Sequence, residues 1–188
     1  METKGIRFDE RATAAKYLIQ TRDALADVVS GLSDAEWNFK PAPDRWSIAE
    51  ILEHVVLVER GLQQRIEEIR NAGAEAPGHP AQPIDRFIVE EIPGRKNRLH
   101  APERVQPTGR WTASQALTEF FHARRRTLEL LASAPSLSGR TLPHPIFGPW
   151  DGYQWILATA AHSARHTEQM REVKAGSRFL QPVAAAGA

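Results

Sequence analysis

The stretch Trp155-Ile-Leu-Ala-Thr-Ala-Ala-His162-Ser-Ala-Arg-His166-Thr-Glu-Gln169-Met-Arg-Glu-Val173 decides how the chain is read. At about 100° per residue, a helix brings Trp155, Thr159, His162, His166, Gln169 and Val173 within roughly 80° of one another. Two histidines four apart project side by side, the geometry in which two imidazoles share one metal ion. Spacing alone leaves two readings open. The pair is either a set of metal ligands or two core histidines satisfied by carbonyls, and a third ligand elsewhere would favour the first.

Working outward, Asp151 and Gln154 supply the cap of this helix. Before it, the connector Ser136 to Trp150 carries Pro143-His-Pro-Ile-Phe-Gly148-Pro-Trp, a rigid apolar segment whose prolines prevent helix. Thr112-Ala-Ser-Gln115 has the form of a capping box and opens a preceding helix. Its apolar stripe is Leu117, Phe120, Phe121, Leu128 and Leu131, and Pro135 ends it. Arg124 lies in mid-stripe, where a guanidinium needs a partner. A buried salt bridge to a carboxylate of one of the first two helices is preferred over substrate binding.

Nearer the N-terminus, Ser47-Ile-Ala-Glu50 is another capping box. The helix it starts has the stripe Ile48, Ile51, Leu52, Val55, Leu62, Ile66 and Ile69 and runs to about Asn71. A first helix spans about Phe8 to Val29, and Ser33-Asp-Ala-Glu36 marks a short helical turn. Between Gly73 and Arg110 the chain is rich in proline and glycine, with one apolar patch at Ile84, Phe87, Ile88 and Ile92. No structure is assigned there, but so long a connection often carries function. With no convincing alternating strands, the expectation is an all-α four-helix bundle with long crossover connections, one domain over residues 1–188.

Composition narrows the partners. A net charge of +1 over 188 residues leaves no excess to recruit nucleic acid or anionic lipid. There is no cysteine, so any thiol chemistry must use a thiol brought from outside. No apolar leader and no run near ~20 apolar residues is present, so the expectation is a cytoplasmic protein without membrane contact.

The third ligand candidate is His54, on the flank of the second long helix, where it can point between neighbours. His54, His162 and His166 would then converge in the bundle interior. Neutral imidazole suits a divalent ion, with nickel, zinc or iron the leading expectations, and three protein ligands leave open positions for chemistry. Glu50, Glu53, Glu59 and Gln169 are close enough in sequence to serve as outer partners. His79, His100, His122 and His144 read as surface or loop residues, with His144 of interest because it borders the last helix. Trp46, Trp111, Trp150 and Trp155 stand at helix starts, where they close the ends of the core.

Arg45-Trp-Ser-Ile-Ala-Glu-Ile-Leu-Glu-His54, then His144-Pro-Ile-Phe-Gly148, then Trp155 through His162-x3-His166-x2-Gln169 together resemble the DinB-like (DinB/YfiT) superfamily of metal-dependent enzymes. The resemblance covers most of the chain and implies an up-down-down-up bundle, a divalent metal on His54, His162 and His166 with water completing the shell, and a homodimer. Some relatives use a low-molecular-weight thiol such as bacillithiol, mycothiol or glutathione, and many have no known activity. The Gly73 to Arg110 connector departs from the compact relatives. The leading expectation is a metal-dependent S-transferase acting on a small molecule with an external thiol. The alternatives are a metal-dependent hydrolase and a non-catalytic metal-binding bundle acting in stress response.

Overall fold

The computed structural model describes residues 6–72, 83–95, 100–134, 137, 140–176 and 179, without the side chains of residues 6–9 and 83. His79, the side chain of Phe8 and the proposed stop Pro135 lie outside this set. Four long helices form where the apolar periodicity places them: α1 (Ile6–Val29), α3 (Ile48–Asn71), α5 (Ala113–Ser133) and α6 (Gly152–Lys174). A short α2 (Asp34–Asn38) follows α1, and α4 (Pro83–Glu90) lies inside the long connector. Ser33, Ser47, Thr112 and Asp151 each accept the amide three residues on, while Glu36, Glu50, Gln115 and Gln154 return the bond. Each such cap is worth about 1 kcal/mol, which fixes where each helix begins.

The side-chain ties set the directions. Arg11 near the start of α1 donates to Ala134 O beyond the end of α5, so these two are antiparallel. Lys174 at the end of α6 donates to Val28 O at the end of α1, so these are parallel. Along α3 and α5 the pairs Arg60–Glu119 and Glu67–Arg126 advance together. The order is therefore up-down-down-up, with α1 and α3 each packed against both α5 and α6.

Consecutive parallel helices cannot be joined by a tight turn. After α3, 24 residues and about 36 Å long, the chain must travel back the length of the bundle before α5 can start. This is the physical reason for the long connector. It returns along α6: Asp85 accepts from Gln154 Nε2 at 2.9 Å near the start of α6, and Arg165, farther along, donates to the carbonyls of Ile92 and Gly94. Ile88 is fully buried, with Ile84 and Ile92 packed beside the core. A single 3₁₀ turn, Glu103–Val105, then lies against α3.

Apolar side chains from all four long helices fill the interior, among them Leu18, Leu25, Ile51, Val55, Ile66, Phe120, Leu130 and Ile156. Arg124, also fully buried, crosses this core. Its Nε and Nη2 donate to the two oxygens of Glu59 at 2.9 and 3.0 Å, and Nη2 also donates to Ser163 Oγ at 2.6 Å. Nη1 donates to Leu18 O at 2.7 Å and Thr21 Oγ1 at 2.9 Å. All five guanidinium hydrogens are thus used, on α1, α3 and α6. The sequence favours a salt bridge to a carboxylate of one of the first two helices, and the partner is Glu59 of α3.

The connector before α6 corrects the sequence reading. Thr141–His144 (β1) and Gly148–Asp151 (β2) form an antiparallel hairpin in which Leu142 faces Trp150 and Pro143 faces Pro149. The prolines that exclude helix do not exclude this ribbon. Having no N–H, Pro143 and Pro149 suit a pair that exchanges no hydrogen bonds. Gly148, at φ +84°, supplies the left-handed turn residue. His144 is partly buried here, unlike the exposed His100 and His122. Its ring stacks on Trp150 at 4.1 Å, and its Nδ1 accepts the amides of Ile146 and Phe147 at 3.1 and 3.2 Å. No helix among the described residues is long and apolar enough to cross a membrane.

Candidate metal centre

His54 sits in the second turn of α3 and His162 and His166 on successive turns of α6, and these antiparallel neighbours bring the three rings together. Their centroids are 5.1 Å apart for His54 and His162, 4.7 Å for His54 and His166, and 4.4 Å for His162 and His166. One ring nitrogen from each lies within 4.8 Å of the others. Two ligands at about 2.1 Å from one ion are at most about 4.2 Å apart, so small ring rotations complete the convergence.

The outer nitrogens decide which atoms face inward. His54 Nδ1 donates to Val105 O at 2.7 Å, and His166 Nδ1 donates to Gln169 Oε1 at 2.8 Å. Each ring therefore keeps its lone pair on Nε2. Burial pushes the His54 imidazole below its ordinary pKa, against the pull of the Val105 carbonyl. His162 is held well below by burial and then by the neighbouring His166 and His54. Burial and then His54 bring His166 down to about 3, opposed by its bond to Gln169. All three are neutral at pH 7, the state in which imidazole ligates. Three neutral nitrogen donors with no thiolate or carboxylate among them fit a borderline divalent cation such as zinc or nickel.

Of the four outer partners expected from sequence, Gln169 is the one that hydrogen-bonds a ligand candidate among the described residues. Glu50 closes the cap of α3 and pairs with Lys40. Glu59 holds Arg124. Glu53, buried beside His54, accepts the amides of Thr108 and Gly109 at 2.9 Å each and Arg110 Nε at 3.0 Å. It thereby anchors the loop that carries Val105 against α3. Trp46, expected to close the end of the core, packs its ring 4.9 Å from that of His54. The Val105 carbonyl was not legible in the sequence, since a backbone acceptor in a connector has no side-chain signature.

Fold and site define a class: a four-helix bundle in which two neighbouring helices present three neutral imidazoles to one point. The chain belongs to the DinB superfamily, whose family model matches residues 17–170. It is 31% identical over 149 residues to the uncharacterized protein YuaE of Bacillus subtilis (strain 168), covering 78% of this chain and 88% of that one. The crystal structure of TT2238, a four-helix bundle protein, shares the fold at a TM-score of 0.58 and 22% identity, over 85% of this chain and 96% of that one.

Proposed function

We propose that the protein is a metal-dependent enzyme that holds a divalent cation through Nε2 of His54 and His166 and a ring nitrogen of His162, and transfers an external low-molecular-weight thiol to an electrophilic small molecule. The observation that carries this reading is the convergence of three neutral imidazoles, two with their outer nitrogens already engaged. When bound, such an ion supplies Lewis-acid chemistry, lowering the pKa of a coordinated thiol or water. The chain's own residues do the rest. Val105 and Gln169 hold two rings in the ligating tautomer, and α3 and α6 fix their approach. The absence of cysteine favours a thiol supplied from outside over one in the chain.

Thiol consumption with a panel of electrophiles, compared between metal-loaded wild type and His162→Ala, tests the reading. Turnover that needs both thiol and His162 is the expected result. Turnover without thiol would replace transfer by hydrolysis, and stoichiometric metal with no turnover would leave a binding protein.

A further inference from the structure

The connector that returns along α6 ends its described segment on Arg95, whose side chain is 16% exposed. Its Nη1 donates to Gln169 Oε1 at 3.3 Å, the same oxygen that accepts from His166 Nδ1. Its Nε donates to Glu172 Oε1 at 2.7 Å, which aims the guanidinium at Gln169. Arg165 clamps the segment just before it through Ile92 O and Gly94 O.

We propose that Arg95 is a positioning residue for the metal centre: it fixes the polarity of the Gln169 amide and so sets the tautomer of His166. This rests on the metal-binding reading above. A glutamine side chain can present either its oxygen or its NH2 in nearly the same space. A histidine beside it adapts to either by moving its proton, so the His166–Gln169 pair alone has two self-consistent arrangements. In one, His166 carries the proton on Nδ1 and its Nε2 is free to ligate. In the other, the amide donates to Nδ1 and the proton sits on Nε2, where it blocks ligation. Arginine has donors only, so with Arg95 in place the second arrangement sets NH2 against a guanidinium. Glu172, Arg95 and Gln169 thus form a directed chain that ends on His166 Nδ1 and leaves Nε2 free to ligate. Its middle member, Arg95, comes from the connector, while Glu172 and Gln169 lie on α6.

The test uses the full-length protein and two readouts. ¹H–¹⁵N NMR of the histidine rings in metal-free protein at neutral pH reports the His166 tautomer, and chelator competition reports the affinity for Zn²⁺. Arg95→Met is expected to move His166 from Nδ1–H towards a mixture with Nε2–H and to weaken zinc binding about 10-fold. Adding Gln169→Glu to that variant supplies an acceptor-only carboxylate, and is expected to restore the Nδ1–H tautomer and recover most of the affinity without Arg95. An unchanged tautomer in Arg95→Met, or no restoration in the double variant, overturns the inference. If the tautomer shifts and is restored while wild type binds no zinc, the positioning role stands and the metal reading falls. If zinc binds wild type and Arg95→Met equally with one tautomer, the metal reading stands and the role of Arg95 falls.

Discussion

Arg124 and the three histidines are polar groups sunk between the same helices. Ser163, which accepts from Arg124, is next in sequence to His162, yet the two regions are finished in opposite ways. Around Arg124 every donor has an acceptor and the charge has its counter-charge: Glu59 takes two guanidinium bonds and one from Thr127 at 2.8 Å. In the histidine cluster the outer hydrogens of His54 and His166 are satisfied, and one ring nitrogen from each of the three residues lies within 4.8 Å of the others. Three neutral imidazoles brought this close offer ring nitrogens that one cation could share. The first region is an internal fastening of the bundle, and the second is a cluster that could hold a metal ion.

The comparison predicts a large stability effect in one region and a large binding effect in the other. Glu59→Ala leaves a buried guanidinium without its counter-charge and should lower unfolding stability by about 3–5 kcal/mol in chemical denaturation. A loss below about 1 kcal/mol would show that the network is not a fastening. His54→Ala should reduce metal affinity by at least about 100-fold, while the metal-free variant loses much less stability than Glu59→Ala does. In calorimetry, metal at 100 times its Kd should stabilise wild type by about 2.7 kcal/mol and His54→Ala hardly at all.

How much of this is legible in the sequence follows from what each feature depends on. Capping boxes and apolar stripes are local, so Ser47 with Glu50, or Ile51 with Val55, mark α3 without knowledge of its neighbours. The metal candidates are legible because His162 and His166 share a stripe and His54 lies on a flank. Arg124 is legible as a residue needing a partner, and its connection to Leu18, Thr21, Glu59 and Ser163 is a product of packing. The hairpin was hidden because its strands are four residues long and rich in proline. Arg95 was hidden because its role depends on the route of the connector along α6, which only the up-down-down-up order dictates.

A smaller effect belongs to the hairpin. His144 accepts two turn amides through a neutral Nδ1, and burial lowers its pKa in the folded protein. In the unfolded chain it titrates near 6.5, so below that pH the unfolded state binds the extra proton first. Its contribution is therefore complete above about pH 6.5 and is lost as pH falls towards the lower folded value. His144→Phe keeps the stacking surface and should reduce the difference in unfolding stability between neutral and mildly acidic solution. An unchanged difference would mean that the turn does not depend on the neutral ring.

The most direct test of the central claim is the metal content of the purified full-length protein after loading with zinc or nickel and removal of excess, set against His54→Ala/His166→Ala treated in parallel. The account predicts about one ion per chain in wild type and none retained in the double variant. No retained metal in a folded wild type, or equal retention in both proteins, would contradict it.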